Sequence, residues 1–171
     1  MILAALLLVQ ADPVAALRDE LVAARSATGV LQRRCAEPIR AEVARTGPRL
    51  SASPEQRARL AVGANEPVTY RSVVLKCGDR AVSFAQNWYV RSRLTPAMKT
   101  ALAGDAPFGV VIRPLSPSRQ TLDIATQFDD PSVVPFVLRQ RALVIGGDGK
   151  PLAEVVENYR LELISMPVLK P

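Results

Sequence analysis

From Ala153 to Leu163 apolar and polar residues alternate. Ala153, Val155, Tyr159, Leu161 and Leu163 fall on one side, and Glu154, Val156, Asn158, Arg160 and Glu162 on the other. A period of two predicts a half-buried strand with its apolar side inward. Glu157 breaks the pattern, because it falls on the apolar side. A second alternating run, Val68 to Lys76, has the opposite anomaly: Arg71 shares a face with Thr69, Val73 and Leu75. An isolated buried ion is costly, so such groups pair with each other or with a ligand. One acid and one base on inward faces predict either a structural ion pair or a polar pocket inside a sheet-based core.

The rest of the chain supplies the frame. Asp12-Pro13 predicts a helix start, with Val14, Leu17, Leu21 and Ala24 at helical spacing. Ser26 or Thr28 caps a second short helix carrying Val30 and Leu31. Ile39, Ala41 and Val43 suggest a weak strand, and Ser53-Pro54 opens a helix reaching Leu60. Gly78-Asp79 reads as a hairpin turn returning through a strand from Ala81 to Val90. Thr95-Pro96 starts a helix that ends at Gly104. Pro107-Phe108-Gly109 reads as a tight loop into Val110 to Arg113. Leu122, Ile124 and Phe128 mark another strand, Asp129 to Ser132 a turn, and Val137 to Ile145 a strand. Gly146 to Gly149 turns the chain into the strand of Glu157, and the tail after Ile164 reads as loose. Short strands joined by tight turns, with helices interspersed, predict an α+β domain with a mainly antiparallel sheet.

Composition narrows the chemistry. The 171 residues fit one domain, read here as 12–171. The net charge of +6 favours anionic partners. The basic residues are scattered and aromatics make up only 5%, so no nucleic-acid surface is expected. The chain has no histidine, which removes Ser-His-Asp and Cys-His catalysis and histidine metal sites. Residues 1–11 open with an apolar run too short to span a bilayer, so no stable membrane insertion is expected. The run reads as a truncated signal peptide, a lone strand or a tail, with export slightly favoured over a cytoplasmic location. Export would allow Cys35 and Cys77 to form a disulfide; otherwise they are ordinary thiols.

Several ordered motifs together resemble the chorismate–pyruvate lyase family, over about Ser26 to Leu163. They are Ser26-Ala27-Thr28, the Tyr70-Arg71-Ser72-Val73-Val74-Leu75 strand with Cys77-Gly78-Asp79, the Ala106-Pro107-Phe108-Gly109 loop, and Gly149-Lys150-Pro151-Leu152 followed by Glu157. The resemblance implies a chorismate lyase-like antiparallel sheet flanked by helices, with an enclosed ligand pocket. It implies Arg71 and Glu157 as catalytic residues and a substrate-binding set of Ala27, Thr28, Phe108 and Gly109. It implies no metal and no organic cofactor. Ala27 stands where the family has a large apolar residue. One extra residue lies between Pro151 and Glu157, which suggests a bulge or a shifted glutamate, with Glu154 as the substitute.

The activity so implied is elimination of pyruvate from chorismate to give 4-hydroxybenzoate, with Arg71 gripping the ring carboxylate. The partner would be a small anionic aromatic or pre-aromatic acid, and the protein a monomer. The alternative is a non-catalytic periplasmic binder of a small aromatic carboxylate. The same fold type resembles sensor domains of transcription regulators, but the residues before Ser26 leave no room for a DNA-binding domain, so a one-chain regulator is not expected.

Overall fold

Four helices begin where a polar side chain caps the first turn. Asp12 accepts from the Val14 amide at the start of α1 (Pro13–Ala23), and Ser26 from Gly29 at α2 (Ala27–Gln32). Ser53 forms a reciprocal capping box with Gln56 at α3 (Pro54–Arg59), and Thr95 accepts from Met98 at α4 (Pro96–Ala101). Proline at the first helical position of α1, α3 and α4 presets the backbone for the turn. The computed structural model describes residues 12–126, 128 and 136–169. The segment read as a signal peptide and the turn from Asp129 to Ser132 lie outside these residues.

The strands are β1 (Arg40–Val43), β2 (Val68–Cys77), β3 (Arg80–Val90), β4 (Ser118–Ala125), β5 (Phe136–Ile145) and β6 (Pro151–Arg160). They form one antiparallel sheet in the order β1-β2-β3-β6-β5-β4. The fold is therefore α+β, as the alternation predicts. Leu17 and Leu21 of α1 and Leu31 of α2 pack on the inner face against Val73, Leu75 and Tyr159. Met98 and Phe108 extend that layer over Tyr89 and Val155. On the outer face Leu60, Trp88 and Leu143 form a smaller cluster beside α3.

Three predicted elements differ. Phe108 and Gly109 lie in a helical turn, α5 (Phe108–Val111), rather than a loop. The β6 strand ends at Arg160, and Leu161–Ile164 forms α6, so Leu163 reaches the core from a helix. The segment after α6 is tied down, since the Leu169 amide donates to the Arg33 carbonyl at 2.7 Å. Cys35 and Cys77, left open by the sequence, are joined in a disulfide spanning 42 residues. It links the chain just beyond α2 to the end of β2.

Candidate functional site

Register places the inward polar residues in two rows. Arg71 on β2 is opposite Asn87 on β3, which is opposite Val155 on β6. One pleat along, Val73, Ala85 and Glu157 are partners, and Gln140 of β5 follows. Directly opposite residues share a face, so Arg71 and Glu157 stand diagonally on the inner side of the sheet with β3 between them. The extra residue before Glu157 is absorbed at Leu152, where the β5–β6 register shifts between Val144 and Ile145. Glu157 therefore keeps its inward face, and Glu154 points to the other side.

The N-terminal ends of α2 and α5 close over this face. A cavity of about 30 Å³ lies beneath them, with Val73, Ala85 and Ile112 among its apolar walls. Its polar wall includes Asn87, Arg119 and Glu157. Ala27, Thr28, Phe108, Gly109 and Glu157, all expected at a ligand site, line it together. Gly109 lies where the two helices meet: a Cβ there would stand 2.7 Å from Ser26 Oγ and 2.9 Å from Thr28 Oγ1, so those hydroxyls would have to shift. Outside that contact lies an open groove of about 830 Å³, which shares Arg25, Ser26, Thr28, Gly109 and Pro117 with the cavity. Arg33 and Arg113 make its lining basic.

Arg71 does not meet Glu157 and is not among the cavity-lining residues. It is 5% exposed, and its Nη2 donates to the carbonyls of Gly104 and Ala106, both at 3.0 Å. Its Nε and Nη1 have no hydrogen-bond partner among the described residues, and neither does Nδ2 of the adjacent Asn87. Burial lowers the Arg71 pKa from the ordinary arginine value, with Tyr89 acting in the opposite sense. An arginine still stays protonated in a protein, so a cation is enclosed here without a counter-ion among the described residues.

Glu157 is held by residues not singled out from the sequence. Arg119 Nη2 donates to its Oε2 at 2.5 Å, and the Tyr159 hydroxyl to the same oxygen at 2.9 Å. Arg119 Nη2 also reaches Gln140 Oε1 at 3.2 Å. Burial works against the charge of Arg119, but the Glu157 carboxylate and the Tyr159 hydroxyl together outweigh it and the pKa ends up raised. Desolvation, then the neighbouring carboxylate, push the Tyr159 hydroxyl well above its usual value, so it remains a neutral donor. Glu154, the substitute, has a structural setting on the outer face. It is fully buried and accepts from Arg59 at 2.7 and 3.1 Å, from Arg141 at 2.8 Å and from Gln56 at 3.2 Å.

Two bulges explain why the sequence conceals Asn87 and Arg119. Counting back from the Gly78-Asp79 turn puts Gln86 opposite Arg71, but an extra residue at Val82 shifts the pairing to Asn87. Phasing β4 on Leu122 and Ile124 sends Arg119 outward, but the register shifts between Thr121 and Asp123. Leu122 accordingly packs on the outer cluster, Ile124 on the inner one, and Arg119 points in.

No family model matches the chain. The uncharacterized protein y4mC of Sinorhizobium fredii (strain NBRC 101917 / NGR234) is 35% identical over 130 residues, covering 65% of this chain and 55% of that protein. The chain thus spans about half the length of this curated relative. The crystal structure of PhnF from Mycobacterium smegmatis aligns over 91% of this chain and 80% of its own, with a TM-score of 0.58 and 14% identity. The ligand-binding domain of a putative GntR-family transcriptional regulator from Bordetella bronchiseptica aligns over 74% of this chain and 86% of its own, with a TM-score of 0.52 and 16% identity. At such identities the likeness is one of fold. Six antiparallel strands flanked by helices form the chorismate lyase-like architecture that this chain shares with these domains.

Proposed function

We propose that this chain is a binding module for a small organic anion of the aromatic-carboxylate type, which reaches from the cavity under the α2–α5 lid past Asn87 to Arg71 on the inner face of the sheet. One observation carries the reading. Arg71 and Asn87 are cross-strand partners, both are buried, and three of their donor N–H-bearing atoms have no partner among the described residues. Opposite residues in an antiparallel pair have Cα atoms about 4.5–5.5 Å apart, so one acceptor group can meet both side chains. A carboxylate suits them, because a guanidinium binds it with two parallel donors. Buried donors left unpaired are costly, and a ligand that satisfies them recovers that cost on binding.

Binding is favoured over lyase chemistry by the company the fold keeps, since one of the similar structures is the ligand-binding domain of a putative transcriptional regulator. The cavity as it stands has room for about two waters. A ring enters by α5 moving away from α2 at Gly109, or by extending into the basic groove. The Cys35–Cys77 bond supports an exported site of action, because disulfides persist in oxidising compartments.

Titration calorimetry with 4-hydroxybenzoate at neutral pH tests the reading. Binding is expected for the wild type, with a loss of about tenfold or more in Arg71→Met and in Asn87→Leu. Equal affinity in all three proteins would remove the anion site. Incubation with chorismate should release no pyruvate. Release that disappears in Arg71→Met would replace the binding reading with the lyase one.

A further inference from the structure

We infer that the edge of β2 beyond the end of β1 is a docking site for an acidic, extended peptide segment of another protein, which adds to the sheet as a strand. The site is separate from the proposed small-anion site and does not depend on it. β1 pairs with β2 only from Val73 to Lys76, after which the Ala44 amide donates to the Ser72 carbonyl at 2.9 Å. Past that bond the chain leaves the edge and crosses to the outer face, where the Leu50 carbonyl accepts from Trp88 Nε1 at 3.2 Å. β2 itself runs on to Val68. Backbone groups point to alternate sides along a strand, so Tyr70 and Val68 turn their N–H and C=O to the open edge, as Ser72 does. Among the described residues these groups of Tyr70 and Val68 have no hydrogen-bond partner. The free side of β1, by contrast, is already met by the Asp105 carbonyl, which accepts from the Ala41 amide at 2.7 Å.

The open edge borders a pocket of about 590 Å³. Val43 and Arg71 line it from the inner side of the sheet, and Tyr70, Ser72 and Gln86 from the outer side. A pocket that wraps a sheet edge suits a strand, whose side chains alternate between the two faces. Its charge sets the partner. Arg45 and Arg49, in the connection leaving β1, line the pocket and are exposed, with no ion pair among the described residues. The described lining includes no aspartate or glutamate, and Glu42 of β1 is engaged by Lys76. Such a basic pocket draws an acidic segment. A second copy of the chain would bring the same arginines against each other, and like charges across a strand pair are unfavourable. The two arginines thus disfavour one partner and select another. A free oxyanion would use the arginines but leave the Tyr70 backbone unpaired, so a peptide answers more of what the pocket offers.

The test uses a fluorescein-labelled decapeptide of alternating glutamate and threonine, read by anisotropy at neutral pH and low salt with the full chain. The wild type should bind it. Arg45→Glu/Arg49→Glu, changed only at exposed positions, should weaken binding about tenfold or more. The same peptide with its backbone amides N-methylated keeps its charges but loses its donors, and should bind about tenfold more weakly. Hydrogen exchange at the Tyr70 amide should slow when the unmodified peptide is bound. Equal affinity for the methylated peptide, or Tyr70 exchange unchanged by the peptide, would reduce the pocket to a general anion site and overturn the inference. No binding at about 1 mM peptide would overturn it as well. A mass that doubles with protein concentration and is halved by Arg45→Glu/Arg49→Glu would assign the edge to a second copy instead.

Discussion

Glu154 and Glu157 lie on opposite faces of β6 and have opposite kinds of neighbour. Glu157 shares a cavity with unpartnered donors, while Glu154 is closed in by two arginines and a glutamine. Desolvation alone would raise the Glu154 pKa, but the bonds from Arg59, Arg141 and Gln56 hold it below the ordinary carboxylate value. A depressed folded pKa gives stability that is complete above the unfolded value, near 4.3, and lost as pH falls through the folded one. Glu154→Gln should therefore unfold at lower urea at neutral pH, by about 3 kcal/mol. Its stability should also fall less steeply between about pH 5 and 2 than that of the wild type. Parallel acid limbs for the two proteins would argue against this role. At this scale the sequence was informative wherever a charge fell on an apolar face, as at Arg71 and Glu157. It named Glu154 only as a substitute for Glu157 and gave no sign of its burial, because Glu154 sits among outward-facing positions that α3 folds over.

The helices over the site are short, six residues in α2 and four in α5, and short helices depend on packing more than on propensity. Their contact at Gly109 has no space for a methyl group. Gly109→Ala should part them, costing about 1–2 kcal/mol as overpacking does. That loss would read as a fall in Tm of roughly 3–7 °C for a domain of this size. An unchanged Tm would mean that the Ser26 and Thr28 hydroxyls simply rotate away. The strands were legible because alternation survives in β2, β3 and β6. Their register was not, because single extra residues at Val82, Leu122 and Leu152 change which residues face each other while leaving the apolar count nearly unaltered. A bulge is a decision made between two strands, so one strand's pattern does not carry it. The α5 turn was missed for a related reason: four residues do not complete a helical period.

Across the whole molecule the Cys35–Cys77 bond closes a long loop around β1 and α3 and fixes the far end of the lid to the sheet. A closed loop of this length stabilises by about 4 kcal/mol in the chain-entropy account. Urea unfolding followed through Trp88 fluorescence should move to a clearly lower midpoint on adding reductant, and Cys35→Ala/Cys77→Ala should match the reduced protein. A midpoint indifferent to reductant would show that the bond carries little of the stability. The strand order has a separate implication for how the protein is made. β6 comes after every other strand in the chain, yet it sits in the middle of the sheet, between β3 and β5. Until Pro151–Arg160 has left the ribosome, β1–β3 and β4–β5 lack the strand that joins them, and each leaves an edge open. The nascent chain must stay uncommitted until its last strand arrives, and a message cut short before that point yields sticky edges rather than a smaller functional protein.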